Sequence, residues 1–258
     1  MKKEELWRMV KLFLLWCLLL SVAIIGIIVG RHILKNDAIM NWTILLGFVL
    51  IAIVFFGKRY VKLSFGRIER HMIWPVIGMS VLVAASYLFF EVSFYILIDI
   101  VHLFPKESKE LHEAGQHISG IAGTLSYCIF GPIAEEICFR GILLGGLLKM
   151  RCRPWIAILI TALAFSLVHG YAAKLVGTLL IGIIIGWLYW RTDSIIPCLI
   201  IHIVNNSIAG IIHLISQPTN TVLIVILIVC LLSLAYGLWW FWKKFNFADE
   251  FNQTIKYK

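Results

Sequence analysis

ISGIAGTLSYCIFGPIAEEICFRGILLGGLL, the sequence of residues 118–148, is a long apolar run that carries charge only at Glu135, Glu136 and Arg140. About 20 apolar residues cross a bilayer, so this run is long enough for a membrane-spanning helix. The helix would extend about 46 Å against a hydrocarbon core of roughly 30 Å, and a tilt, a break or an exposed end must absorb the difference. Gly131-Pro132 is the predicted position of a kink, because proline lacks a backbone donor.

The rest of the chain has the same apolar character. Apolar residues make up 61% and charged residues 14% of the 258 residues, which excludes most soluble enzyme classes. The predicted fold is an all-α polytopic membrane protein, with residues 1–258 forming a single integral membrane domain. We expect the first run to remain in the protein, because no small-residue cleavage site leads into a soluble chain. Apolar runs predict about eight transmembrane helices, at 12–30, 41–57, 72–104, 118–148, 154–170, 174–190, 195–214 and 221–242.

The basic residues predict the orientation of these helices. With the N-terminus inside the cell, most lysines and arginines fall on the cytoplasmic side, in segments 2–11, 58–70, 149–153 and 243–258 and at Arg191. Cytoplasmic loops carry such an excess, so we expect a multi-pass cell membrane protein with both termini cytoplasmic. The net charge of +9 is then a topology signal, and no nucleic-acid partner is expected. The basic residues predicted outside are Arg31, Lys35, Lys106, Lys109 and Lys174.

Pairs of small residues four apart indicate close helix packing. We expect these contacts to form within the chain. Dimerisation through the same faces is the alternative, and the sequence leaves the oligomeric state open. The pairs are Gly26/Gly30, Gly141/Gly145 and Gly182/Gly186.

Charged residues within hydrocarbon are costly, and each is treated as a functional candidate. Consecutive helix positions separate Glu135 from Glu136 by about 100°, and only Glu136 is at the i,i+4 spacing from Arg140. We expect Arg140 to hold Glu136, while Glu135 points elsewhere without a sequence-local partner. The alternative is that all three residues form one buried ionic cluster that fixes helix packing.

Polar residues on later helices are predicted at a similar depth. Counted from the basic residues at the cytoplasmic boundary, Glu135, His169, His202 and Asn206 lie about 21, 24, 17 and 22 Å deep. Such side chains can hydrolyse an amide. A carboxylate and an imidazole activate water, and N–H donors stabilise the oxyanion. Either histidine alone could equally be a packing residue.

Other polar residues leave further alternatives open. Ser166 and Cys138 are weaker nucleophile candidates, because neither has a clear local base. Glu91 and Asp99 either line a substrate cavity or serve packing and snorkelling roles. His213 is about 16 Å beyond His202 along the helix. The histidines of HEAGQH, residues 112–117, diverge by about 140° on a helix and are not expected to bind zinc.

The motifs resemble those of a known family. Glu135-Glu136-xxx-Arg140, Phe165-xxx-His169 and His202-xxx-Asn206 are similar, in order and spacing, to the three motifs of the CPBP family. This family comprises the CAAX-protease and bacteriocin-processing intramembrane proteases and is also called the Abi family. The resemblance implies an eight-helix membrane endopeptidase with its catalytic core in helices 4–7, here 118–214.

The resemblance also implies roles for the motif residues. Glu135 and His169 would activate water, His202 and Asn206 would stabilise the oxyanion, and Glu136 and Arg140 would support the site. Asn205 is a register alternative, but Asn206 fits the motif. No metal is certain. A divalent ion such as zinc, with Glu135, His169 and His202 as candidate ligands, is left open because the family is often labelled a metalloprotease.

The expected function is cleavage of a membrane-associated protein or a secreted peptide precursor, in bacteriocin or pheromone processing or in self-immunity. The expected partners are membrane lipid and the peptide or membrane-protein substrate, in a cell of bacterial type. A non-enzymatic immunity or signalling scaffold with the same fold is the main alternative. A proton-coupled transporter is a further one, although no pseudo-symmetric halves are visible in the sequence.

Overall fold

A computed structural model of the chain describes residues 3–100, 120–169, 172–212 and 220–245, with side chains described for 3–87, 120–169, 175–207 and 228–245. The described residues are helices and their connections and contain no strand, so the all-α prediction is confirmed. Each predicted apolar run coincides with helix over most of its described length. The helices are α1 (Lys3–Gly26, continued as a π-helix over Ile27–Ile33), α2 (Asp37–Gly57), α3 (Ile73–Ile100), α4 (120–149), α5 (Pro154–Leu167), α6 (Ala172–Thr192), α7 (Ile196–Ile212) and α8 (Asn220–Lys244).

Membrane-spanning capacity differs between the helices. Within the described residues, three segments are long and apolar enough to cross a bilayer, namely Lys3–Ile33, Asp37–Gly57 and Leu175–Thr192. Pro154–Leu167 and Ile196–Ser207 are apolar but shorter. These segments identify a membrane protein, while the count of eight crossings and the orientation of the termini stay predictions.

Helix α4 changes type along its length instead of breaking. It consists of five consecutive pieces: Gly120–Leu125, the π-helix Ser126–Phe130, Gly131–Glu136, the π-helix Ile137–Leu144 and Gly145–Lys149. The irregularity expected at Gly131-Pro132 therefore lies where the first π-helix returns to α-helix. The two π-helices flank the α-helical piece that ends in Glu135 and Glu136. Because π turns are rare and often mark functional sites, this position supports treating both residues as functional candidates.

Small residues bring the helices together within the chain, as the sequence predicted. A Cβ atom built on Gly30 of α1 would lie 2.6 Å from the backbone nitrogen of Met40 on α2. A Cβ atom on Gly182 of α6 would lie 3.1 Å from the side chain of Ala162 on α5. Both approaches are close enough that a larger side chain would push the helices apart.

Two apolar cores surround α4. One joins residues of α3, α4, α5, α6, α7 and α8 and includes Phe139, Phe165 and Leu188. The other joins α2, α4 and α7 and includes Phe55 and Ile137. The charged residues of α4 therefore lie between two packed layers that exclude most water.

The connection between α2 and α3 fixes the start of α7. The backbone N–H of Arg67 donates to the Thr192 carbonyl at 2.8 Å, and the hydroxyl of Ser194 donates to the Ser64 carbonyl at 2.7 Å. Gly66 has φ +57° and approaches the Asp193 carbonyl so closely that a side chain would clash with it. These contacts hold the turn from which α7 presents its polar residues.

Candidate active site

Glu136 is the centre of a buried polar network. Its side chain is 0% exposed, and its Oε1 accepts hydrogen bonds from Arg140 Nη1 at 2.9 Å and from His202 Nδ1 at 2.8 Å. The Arg140 contact follows from the i,i+4 spacing, whereas the His202 contact joins α4 to α7 across 66 residues. One carboxylate oxygen thus positions a residue from the first motif and a residue from the third.

Arg140 compensates this buried carboxylate and binds two further helices. It is 1% exposed, its Nη2 donates to the Gly182 carbonyl of α6 at 3.2 Å, and its guanidinium lies 5.0 Å from the ring centroid of Phe165 on α5. A buried charge is tolerated only when it is paired and hydrogen-bonded. Arg140 meets this condition with partners from α4, α5 and α6.

Glu135 has a different environment from its neighbour. Its side chain is 30% exposed, and its Oε2 lies 3.6 Å from His202 Nε2. Because the Glu136 carboxylate can only accept a hydrogen bond, His202 Nδ1 carries a proton and Nε2 faces Glu135. Glu135 is therefore the more accessible of the two carboxylates, although its Oε2 is buried, while Glu136 is enclosed.

His169 lies two residues after the end of α5, beside the same aromatic ring. Its Nδ1 lies 2.8 Å from the Phe165 carbonyl oxygen, which can only accept, so Nδ1 carries the proton and Nε2 is left as the acceptor in the neutral ring. The Phe165 ring centroid lies 4.7 Å from the His169 ring and 5.7 Å from the His202 ring. Phe165 thus contacts both imidazoles and the Arg140 guanidinium.

Asn206 lies one turn after His202 on α7. Its Nδ2 donates to the Tyr127 carbonyl of the first π-helix at 3.1 Å. A side-chain amide has two N–H groups, so this bond fixes the amide and leaves the second N–H for another acceptor. The neighbouring Asn205 has a buried Oδ1 that lacks a hydrogen-bond partner within the described part of the chain.

The structure brings some predicted residues into direct contact and connects others indirectly. Glu135, Glu136, Arg140 and His202 form one contiguous cluster. His169 joins this cluster through the Phe165 ring, and Asn206 joins it through α7. The side chains of Glu91 and Asp99, the 112–117 segment and His213 lie outside the described residues.

The two alternative nucleophiles are placed differently. The Ser166 hydroxyl donates to the Leu175 carbonyl at 2.7 Å and lies 2.9 Å from the Thr178 hydroxyl, so it joins α5 to α6. Cys138 is buried in the apolar core. Neither contacts an imidazole or a carboxylate in the hydrogen bonds and ion pairs of the described residues.

Trp16 is a residue of the site that sequence reasoning missed. Its indole Nε1 donates to the Ala134 carbonyl at 2.9 Å, across 118 residues. Ala134 directly precedes Glu135, and its carbonyl, which also accepts from the backbone N–H of Ile137, lies where α-helix passes into the second π-helix. The available signal was a tryptophan within the apolar run 12–30, because a buried indole N–H usually finds an acceptor.

A metal does not fit the donor set of the described residues. No three His, Cys, Asp or Glu side chains in that part of the chain lie close enough together to hold an ion. The candidate ligands Glu135, His169 and His202 therefore do not form such a group.

Comparison with known proteins confirms the resemblance of the motifs. Residues 117–208 match a family described as "Type II CAAX prenyl endopeptidase Rce1-like", and this segment is therefore similar to the CAAX-protease family. UPF0177 protein YxdF of Lactococcus lactis subsp. lactis (strain IL1403) is 31% identical over 83 residues, which cover 32% of this chain and 45% of that protein. The chain thus matches less than half of the length of this relative. No solved structure matches the chain.

Proposed function

We propose that the protein is an intramembrane endopeptidase in which Glu135 activates a water molecule. The observation that carries the proposal is the asymmetry of the two adjacent carboxylates. Glu136 is enclosed by Arg140 and His202, whereas Glu135 is 30% exposed and lies beside His202 Nε2. A carboxylate that keeps access to water in an otherwise dry site is suited to general-base catalysis. The match to the CAAX-protease family supports this reaction class.

The proposed reaction needs no covalent intermediate. Glu135 accepts a proton from water while the water oxygen attacks the carbonyl carbon of the scissile bond. His169 Nε2 accepts the second hydrogen bond of this water and orients it. The tetrahedral intermediate then collapses, the C–N bond breaks, and Glu135 transfers the proton to the leaving amine.

Two donors are proposed to stabilise the oxyanion. The first is the Asn206 N–H that remains after the other N–H binds Tyr127. The second is His202, whose Nδ1 is held by Glu136 and whose Nε2 lies 3.6 Å from Glu135 Oε2. Fixed donors of this kind in a water-poor site are usually among the largest contributions to catalysis.

We propose a membrane-associated protein or a secreted peptide precursor as the substrate. The biological setting would be bacteriocin or pheromone processing, or self-immunity, in a cell membrane with both termini cytoplasmic. The three membrane-capable segments support access from within the bilayer. The apolar surroundings of the site favour a substrate segment that is itself apolar.

The test is a mass-spectrometric comparison of protein and peptide termini in cells that express wild type or Glu135→Gln at equal membrane abundance. We expect a set of termini that disappears in the variant and returns when purified wild-type protein is added to the variant membranes. Cells that express Arg153→Gln, a change at an exposed residue, are the matched control and should retain the wild-type termini. Identical termini in all three strains would contradict proteolysis and favour the scaffold alternative.

A further inference from the structure

A cavity of about 820 Å³ opens beside the first turns of α1. Its walls are formed by one face of α1 and by Tyr60, which follows the end of α2. Arg8, at one end of the cavity, precedes Trp16 by about 12 Å along the helix, and the residues of the Glu135 cluster are not among those that line the cavity. Its volume is within the range of small-molecule sites.

The α1 face of this cavity changes from cationic to apolar along the helix. Arg8, Lys11, Leu12 and Leu15 line the cavity, and their spacing of i, i+3, i+4 and i+7 places them on one face. Each leucine lies one turn further into the helix than a basic residue. The cavity therefore has a positively charged end and an apolar end.

Basic residues outnumber acidic residues at this end of the cavity. Arg8 and Lys11 are exposed, and within the described residues neither takes part in an ion pair. Glu4 is the single acidic residue of the cavity wall. The excess of positive charge is increased by the basic residues that flank Tyr60 in the chain, which are Lys58, Arg59 and Lys62.

The aromatic residues of the cavity suit a position at the membrane surface. The Tyr60 ring packs edge-on against the buried Phe55, with ring centroids 5.8 Å apart. Trp7, also in the cavity wall, is largely exposed. Tryptophan and tyrosine are enriched at the level of lipid headgroups, and this end of α1 is the predicted cytoplasmic end.

We propose that the cavity binds one anionic glycerophospholipid. The phosphate lies against Arg8 and Lys11 and accepts a hydrogen bond from the Tyr60 hydroxyl, while an acyl chain follows Leu12 and Leu15. A lipid uses both ends of the cavity, whereas a soluble phosphate would use only the cationic end. This binding site is independent of the proteolytic activity proposed above.

Native mass spectrometry of the purified full-length protein tests the proposal, with phosphatidylglycerol or phosphatidylcholine added to the same detergent. We expect one saturable phosphatidylglycerol per chain and weaker binding of phosphatidylcholine. The variant Arg8→Gln/Lys11→Gln should bind phosphatidylglycerol about 30-fold more weakly, as loss of two basic contacts with an anionic lipid predicts. Tyr60→Phe should weaken binding about fivefold through loss of one hydrogen bond.

Two controls distinguish this site from general surface charge and from a soluble-phosphate site. Lys243→Gln/Lys244→Gln removes two exposed basic residues at the end of α8 and should change the affinity less than threefold. Equal loss in both double variants would overturn the proposal. Glycerol 1-phosphate should not displace the lipid at equal concentration, and displacement would contradict the use of the apolar end.

Discussion

Arg140→Gln should destabilise the folded protein far more than loss of a surface charge. The substitution removes the 2.9 Å ion pair with Glu136, the bond to the Gly182 carbonyl and the contact with the Phe165 ring. It leaves the Glu136 carboxylate buried with His202 as its remaining partner. Removing one member of a buried pair costs about 3–5 kcal/mol, a large fraction of a typical stability of about 5–15 kcal/mol.

Equilibrium unfolding in mixed detergent micelles measures this cost, and a double-mutant cycle with Glu136→Gln isolates the pair. Because the double variant has no stranded charge, it should lose less stability than the sum of the single variants, with a coupling of about 2 kcal/mol or more. The exposed Arg153→Gln should change stability by less than about 0.5 kcal/mol. Additive losses, or a cost below about 1 kcal/mol for Arg140→Gln, would refute a tightly coupled buried pair.

Three further predictions concern catalysis and are checked with a substrate identified from the cellular termini. His169→Ala should lower turnover about 10²–10⁴-fold at near-normal folded protein, and a loss of folded protein equal to that of Arg140→Gln would argue for a packing role. Asn206→Ala should lower turnover about 10²–10³-fold, whereas a change below threefold would remove Asn206 from the oxyanion site. Trp16→Phe keeps an aromatic ring but removes the donor to the Ala134 carbonyl. Its kcat should fall about tenfold with little change in KM. The control Trp74→Phe, at an exposed residue, should leave both constants unchanged.

The helices could be predicted from the sequence because apolar runs and their charged ends determine where helix is stable in lipid. The pairing of Glu136 with Arg140 was also predictable, since residues four apart meet on any helix. The hydrogen bond between Glu136 and His202 was not, because it depends on how α7 packs against α4. This contact changes the interpretation of His202, whose Nδ1 is held by a carboxylate.

The two π-helices of α4 show a second limit of sequence reasoning. The excess length of run 118–148 and the Gly131-Pro132 pair indicated an irregular helix. They did not indicate where the π-helical turns would form, because that position depends on tertiary packing. Trp16 illustrates the same point, because its acceptor became identifiable only when α1 was placed beside the start of the second π-helix.

The proposed role of Glu135 as general base is tested by the cleavage rate of purified, reconstituted Glu135→Gln. Compared with wild type at equal folded protein, the variant should be at least about 10²-fold slower, while Cys138→Ala and Ser166→Ala retain cleavage in their folded fractions. A Glu135→Gln rate within threefold of wild type would exclude Glu135 as the general base. Loss of cleavage confined to folded Cys138→Ala or Ser166→Ala would instead identify a covalent nucleophile.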